Sequence, residues 1–179
     1  MRLFLGIEIP DELKNILGDH ISLIKNREKG WEKAHDYHLT LFFIGEVPEE
    51  LLLVIQAKMN QIRFKPFQLQ LGPLEFFKRR ILYISLYPSK ELERLKIEID
   101  AVFQEWQKPH TKSFIPHITI KRWQRYEHDE IKEAIYYHPF EHHKFEVKNL
   151  TLFEARKDLE NNKYHVVSRG INTQGSTSI

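Results

Sequence analysis

Residues 2–17 read RLFLGIEIPDELKNIL, and residues 80–95 read RILYISLYPSKELERL, an offset of 78 positions (2 to 80) that also aligns Pro10 with Pro88. Each copy opens with an apolar run rich in strand-forming residues and continues, after its proline, with apolar residues at helical spacing. The two stretches therefore predict a strand–helix unit that occurs twice in the chain.

Two other pairs of segments share this offset to within one residue. FQLQLGPL begins at Phe67 and FEVKNLTL at Phe145, again 78 positions apart, while HLTL at His38 and HITI at His117 differ by 79 (38 to 117). One such match arises easily by chance, but three matches whose offsets agree to within one residue are much less expected. The repeat is too short for a solenoid and indicates two related lobes that face each other about a pseudo-twofold axis.

The pattern along the whole chain mixes strands and helices without strict alternation. Strands are predicted at 2–9, 37–44, 67–76, 80–87, 115–121, 144–153 and 163–169, and helices at 11–26, 48–62, 89–107 and 128–137. This favours an α+β fold, a bilobal duplication with two antiparallel sheets backed by helices around a central cleft. We expect residues 1–169 to form a single two-lobed domain and residues 170–179 a flexible polar tail.

Composition narrows the class of protein. The chain of 179 residues is 41% hydrophobic and 29% charged, with a net charge of +2, which suits a domain that buries a core and stays in solution. It contains no cysteine, which excludes disulfides, thiolate metal sites and a cysteine nucleophile. No apolar run approaches the roughly 20 residues that span a bilayer, and the N-terminal segment lacks the pattern of a signal peptide. We expect a cytoplasmic monomer with no membrane contact.

The residues that carry chemistry are His38 and Thr40 in the first repeat and His117 and Thr119 in the second. Side chains on a strand alternate faces, so each His and its Thr share one face while the residue between them packs on the other. If the lobes are related by a twofold axis, both pairs converge. In-line displacement at phosphorus needs a base and an acid on opposite sides, and two imidazoles supply both near neutral pH without a metal or cofactor.

Arg122 and its neighbours are the candidate anion ligands. Arg122 lies five residues after His117, so a regular strand puts it on the opposite face, and it reaches the phosphate only through a bulge or a strand end. The basic clusters at 78–80 and 121–122 could also meet phosphate, or form a solvated surface.

A histidine cluster near residue 140 is a second candidate, for metal binding. His138 and His142 would share a helix face, beside Glu141 and His143, but Pro139 between them argues against a helix. We predict a solvated loop.

Other aromatic and histidine positions are interpreted as structural. His35 is expected at the surface, and the tryptophans are expected mainly in the core, with one or two aromatic side chains available to stack a terminal base. These tryptophans are Trp31, Trp106 and Trp123.

With these motifs in place, the chain resembles the two-histidine phosphoesterase superfamily with its His-x-Thr (HxTx) motifs, and within it the RNA 2′,3′-cyclic phosphodiesterase family, also called 2′-5′ RNA ligase. The resemblance runs over residues 2–169 through RLFLGIEIP, YHLTLFFIGEV, FFKRRILYISL, FIPHITIKR and LFEARKDLENNKYHVV. It implies a metal-free hydrolase in which His38, Thr40, His117 and Thr119 are catalytic and Arg122 binds phosphate, with His117 as base and His38 as acid.

The chain departs from the family pattern in three places. Lys121 precedes Arg122 where the family has a small or apolar residue, Glu154 and Ala155 precede Arg156 where a Ser-Arg pair is usual, and residues 158–162 replace the usual glycine turn. These changes concern substrate choice. The resemblance implies hydrolysis of RNA 2′,3′-cyclic phosphate ends to 2′-phosphates, and three alternatives stay open: a small cyclic nucleotide as substrate, RNA-end ligation, or an idle RNA-end-binding module.

Overall fold

The computed structural model describes residues 1–24, 32–77, 80–107, 113–122, 140–157 and 162–170. The strands within these ranges are β1 (Arg2–Glu8), β2 (His38–Glu46), β3 (Phe67–Phe77), β4 (Ile81–Leu86), β5 (His117–Arg122), β6 (Lys144–Val147), β7 (Thr151–Lys157) and β8 (Asn162–Arg169). The α-helices are α1 (Asp11–Ile24), α2 (Leu52–Met59) and α3 (Lys90–Val102), with 3₁₀ turns at Ala34–Asp36, Glu49–Leu51 and Gln104–Trp106.

The strands form one antiparallel sheet in the order β6-β3-β4-β5-β2-β1-β7-β8. The offset between the repeats relates β1 to β4 and β2 to β5, and these four strands occupy matching places on either side of the contact between β5 and β2. The predicted α+β fold is therefore confirmed, and the two antiparallel sheets that were expected are the two halves of this one sheet. The two antiparallel halves are joined edge to edge through a single register pair, Leu39 with Ile118.

The predicted strand at 144–153 is two strands, and this break shows how the sheet curls. β6 pairs with β3 in one half, whereas β7 pairs with β1 in the other, and only residues 148–150 separate them. Four Cα steps reach at most about 14 Å. The far ends of the strand order must therefore approach each other, which bends the sheet.

The helices pack with the spacing that their sequences predict. α1 buries Leu13, Leu17 and Ile21, each four residues after the last, and so lays one stripe on the core. Ser89 caps the N-terminus of α3, because its side-chain oxygen accepts a hydrogen bond from the backbone N–H of Leu92 at 3.2 Å. Such a cap satisfies one of the free donors at the start of a helix. Each fully buried leucine contributes roughly 1.5–3 kcal/mol through removal from water.

Some predictions fall on other parts of the chain. The helix predicted at 128–137 lies outside the described residues, as does the tail beyond Gly170. Gly170 itself continues the fold, with its N–H donating to the carbonyl oxygen of Leu150 at 2.7 Å. Within the described ranges no helix combines the length and hydropathy needed to cross a bilayer.

Candidate active site

The register between the central strands brings the two His-x-Thr motifs side by side. Leu39 of β2 is paired with Ile118 of β5, and both side chains are fully buried. In an antiparallel pair the flanking residues then meet across the strands, which sets His38 alongside Thr119 and Thr40 alongside His117. All four are half-buried and lie on the opposite side from Leu39 and Ile118. We call this side of β2 and β5 the motif face.

Both imidazoles are held by the same local contact. Nδ1 of His38 lies 2.7 Å from the backbone oxygen of Asp36, and Nδ1 of His117 lies 2.7 Å from that of Ile115. A carbonyl oxygen only accepts, so Nδ1 carries the hydrogen in each ring. Nε2 is therefore the nitrogen that each ring can offer for proton transfer on the motif face.

Aromatic rings surround His38. Its ring centroid lies 4.4 Å from that of Tyr164, 5.0 Å from Phe4 and 5.5 Å from Phe153. Burial lowers the pKa of His38, and the nearby charges of His117 and Lys14 act in the same direction, against the opposing contact with Asp36. The neutral form of His38 is thereby favoured in the unliganded protein.

A tyrosine ring packs against His117. The ring centroid of His117 is 5.3 Å from that of Tyr83, whose hydroxyl donates to Oε2 of Glu75 at 2.9 Å. Burial and this contact raise the pKa of Tyr83 to about 12. Tyr83 therefore remains a neutral phenol over the range in which histidines titrate.

A β-bulge brings Arg122 onto the motif face. Leu82 pairs with Lys121 and Tyr83 with Thr119, which leaves Ile120 as an extra residue in β5. Ile120 and Lys121 are both fully buried, so the alternation resumes with Arg122 on the side of His117. Nη2 of Arg122 lies 3.4 Å from Oγ1 of Thr119.

Sequence reasoning left two ways for Arg122 to reach the motif face, a bulge or a strand end. The structure shows the bulge, and Arg122 still pairs with Ile81. The bulge also removes Lys121 from the candidate anion ligands, because this side chain is fully enclosed.

The same bulge occurs in β2 and reveals a residue that sequence reasoning missed. Leu5 pairs with Phe42 and Gly6 with Thr40, so that Leu41 is the extra residue and Phe43 returns to the motif face. Phe43 is 61% exposed, and its ring centroid lies 5.9 Å from that of Phe4, which also contacts His38. The signal was in the repeat, since the offset of 79 that relates the histidines also relates Phe43 to Arg122.

Glu32 is a second residue that the sequence did not indicate. Its carboxylate accepts a hydrogen bond from Nη1 of Arg122, and its backbone N–H donates to the carbonyl oxygen of Ile120 at 2.8 Å. Glu32 precedes β2 and Arg122 ends β5, so the contact joins the two halves of the sheet.

The other candidates lie elsewhere. Residues 140–143 form a turn in which His142 is exposed, as predicted, while His138 and Pro139 lie outside the described residues. Among the residues that are described, no group of three or more His, Cys, Asp or Glu could hold a metal ion. The side chain of His35 is 71% exposed, which confirms its surface position.

The structure describes one of the three tryptophans. Trp106 is half-buried against Phe103, at 5.6 Å between ring centroids, whereas Trp31 and Trp123 lie outside the described ranges.

Comparison with known protein families identifies the family of this chain. The family model described as the 2′-5′ RNA ligase superfamily matches residues 11–159. This chain belongs to the 2′-5′ RNA ligase superfamily. The match includes both His-x-Thr motifs, Arg122 and Glu32.

Relatives by sequence agree with this membership, and a solved structure shows the same fold. The RNA 2′,3′-cyclic phosphodiesterase of Thermotoga maritima is 29% identical over 134 residues, which cover 70% of this chain and 72% of the relative. The protein of the same name from Methanocaldococcus jannaschii is 27% identical over 87% of this chain and 91% of its own length. The crystal structure of E. coli LigT complexed with 3′-AMP has a TM-score of 0.81 at 24% identity, covering 97% of this chain and 98% of LigT, and shows the same fold.

Proposed function

We propose that this chain hydrolyses the 2′,3′-cyclic phosphate ends of RNA to 2′-phosphate ends, by acid–base catalysis between His38 and His117. One observation carries the proposal: two imidazoles on paired strands, each tied through Nδ1 to a carbonyl oxygen and each with Nε2 left for proton transfer. The names of the relatives, RNA 2′,3′-cyclic phosphodiesterase, supply the substrate class.

The chemistry divides among the five predicted residues. His117 removes a proton from water as it attacks phosphorus, and His38 donates a proton to the departing ribose oxygen. Thr40 and Thr119 donate hydrogen bonds to the non-bridging oxygens, where negative charge accumulates. Arg122 binds the phosphate, and its contact with Thr119 supports a position beside the reacting group. No step requires a metal or a cofactor.

The lowered pKa of His38 bears on these roles. An acid must be protonated, and burial disfavours the charged ring in the unliganded protein. The anionic phosphate favours the charged ring once it is bound, because an opposite charge nearby raises the pKa of an imidazole. Binding of the substrate therefore favours the protonated form of His38 that the acid role needs.

Phe43 supports RNA as the class of substrate. An exposed aromatic ring on the motif face can stack a nucleobase, and such stacking contributes about 1–3 kcal/mol per base without selecting its identity. Phe43 and Arg122 follow their histidines by five residues on antiparallel strands, and so flank the motifs from opposite ends. This arrangement suits a terminal nucleotide with its phosphate between the histidines.

The proposal is tested with a short RNA that carries a 2′,3′-cyclic phosphate. Phosphorus NMR after incubation should show conversion to a 2′-phosphomonoester. The absence of turnover would overturn the proposal and leave an RNA-end-binding module. Turnover of nucleoside cyclic phosphates alone would restrict the substrate to small molecules, and joining of a 5′-hydroxyl RNA would indicate a ligase.

The proposal also includes the oligomeric state of the protein and its location in the cell. We propose a monomer that acts in the cytoplasm. Sedimentation equilibrium of the purified protein tests the first statement, and fractionation of cells that express the tagged full chain tests the second. A stable dimer, or recovery with the membrane fraction, would contradict them.

A further inference from the structure

Glu32 ties the phosphate-binding arginine to the opposite half of the sheet. Its backbone N–H donates to the carbonyl oxygen of Ile120 at 2.8 Å, and its carboxylate accepts from Nη1 of Arg122. Ile120 is the extra residue of the β5 bulge. A bulged residue leaves the regular ladder, so its backbone groups need other partners, and Glu32 provides one. The backbone of Glu32 thus supports the bulge, while its side chain is available for a separate role.

That role concerns the orientation of the guanidinium. Nη1 of Arg122 donates to Glu32 and Nη2 lies 3.4 Å from Oγ1 of Thr119, so the group is held between a loop and the second His-x-Thr motif. A guanidinium carries five N–H donors in a fixed plane, so these contacts orient the group and still permit it to bind an anion.

The charge of Glu32 is shielded from solvent. Its side chain is 13% exposed, whereas that of Arg122 is 40% exposed. Buried charges are screened less than exposed charges, so the carboxylate acts on any anion that Arg122 binds.

We propose that Glu32 is a positioning and specificity-determining residue, which orients Arg122 and selects against a second negative charge on the bound phosphate. This inference rests on the proposed function. A cyclic phosphodiester carries one negative charge, whereas the monoester product approaches two near pH 7 because its second pKa is about 6. Repulsion from Glu32 therefore acts about twice as strongly on the product as on the substrate, and this difference promotes product release.

Three variants separate charge from positioning. Glu32→Gln removes the charge but keeps an oxygen that accepts from Arg122. Glu32→Ala removes both the charge and the accepting oxygen. The backbone contact with Ile120 survives in both variants. Glu105→Gln is the matched control, since Glu105 pairs with Lys58 at 3.1 Å between helical segments away from the motif face. For each variant we would measure kcat and KM on a cyclic-ended oligonucleotide, the inhibition constant of its own product at pH 8, and thermal unfolding.

Glu32→Gln should lower KM by about threefold and the product inhibition constant by about tenfold, since the second effect is roughly the square of the first. Glu32→Ala loses the same charge, so its difference from Glu32→Gln isolates positioning. We expect kcat/KM of Glu32→Ala to fall about tenfold below that of Glu32→Gln. Glu105→Gln should match the wild type.

Each contrary result overturns a defined part. Equal shifts in KM and product inhibition for Glu32→Gln would overturn the selection against charge. Equal kcat/KM for the two Glu32 variants would overturn positioning. Losses that merely follow thermal stability would make Glu32 a structural residue only. If the wild type does not turn over the cyclic-ended RNA, the proposed function fails and this inference fails with it. If the wild type is active but the Glu32 variants have its KM, its product inhibition constant and its kcat/KM, this inference alone is overturned.

Discussion

His38 and His117 make the same hydrogen bond, from Nδ1 to the carbonyl oxygen two residues earlier, at the same distance of 2.7 Å. The duplication has therefore preserved the support of each imidazole as well as the imidazole itself. Because this bond fixes which nitrogen carries hydrogen, it prepares both rings for proton transfer through Nε2. The two rings differ in what surrounds them: three aromatic rings lie around His38, whereas the ring of Tyr83 packs against His117.

The first prediction concerns this pair. His38→Ala and His117→Ala should each lower kcat by at least about 100-fold, because each removes one proton transfer. The double variant should lose less than the product of the two effects, since the groups act as one unit. Steady-state kinetics on a cyclic-ended oligonucleotide measures this, with the exposed His35→Ala as control. Near-normal turnover by either folded single variant would exclude the mechanism.

The second prediction is a bell-shaped dependence of kcat/KM on pH, with its acidic limb below 6.5. Protons leave the coupled histidines in two macroscopic steps. Burial lowers the pKa of His38, so the first step falls below the ordinary value for histidine. Below this limb both rings are charged and the base is lost, and above the second limb the acid is lost. Rates from pH 4.5 to 9 test this, and a flat profile with chemistry limiting would contradict it.

The sequence predicted the motif face because strand alternation is a local rule. His38 and Thr40 share a face whatever the rest of the chain does, and the offset between repeats placed the second pair opposite the first. The bulges are different. Whether Ile120 stays in the ladder depends on its pairing with β4, so alternation alone put Arg122 on the wrong face.

Contacts between segments that lie far apart in the chain also could not be predicted from the sequence pattern. Glu32 meets Arg122 across 90 positions, and no periodicity links them. The break between β6 and β7 has the same origin, since the two strands pair with opposite halves of the sheet although their sequence reads as one apolar run. Phe43 could have been predicted from the sequence, because the offset between the two histidines also relates it to Arg122.

The third prediction is that activity survives exhaustive chelation. The two imidazoles already provide the base and the acid that a metal-bound water would otherwise supply. The check is the rate before and after dialysis against a strong chelator, with a known metalloenzyme treated in parallel. Lost activity that returns with a divalent cation would require a metal site.

The fourth prediction separates Arg122 from other basic residues. Arg122→Ala should weaken use of the phosphate end, because each charge-assisted hydrogen bond contributes roughly 1.5–3 kcal/mol. Lys78→Ala and Arg79→Ala should act more weakly and mainly at low salt, as general phosphate contacts do. KM measured at several salt concentrations distinguishes them. Three equal effects would remove the special role of Arg122.

The fifth prediction is the identity of the product. A 2′,3′-cyclic phosphate opens at either ribose oxygen, and in-line attack requires the leaving oxygen to face the acid, opposite the water held by the base. His38 and His117 lie on different strands from different halves of the sheet, so a bound ribose cannot readily exchange the oxygen that meets each ring.

One product should therefore dominate. We expect His38 to donate its proton to O3′, which leaves a 2′-phosphate. Phosphorus NMR of the product from a cyclic-ended oligonucleotide distinguishes the two monoesters. A dominant 3′-phosphate would exchange the roles of the two histidines, because the oxygen that meets the acid would then be O2′. A mixture would mean that the contacts around Phe43 and Arg122 do not fix the ribose, and would contradict the proposed orientation of the substrate.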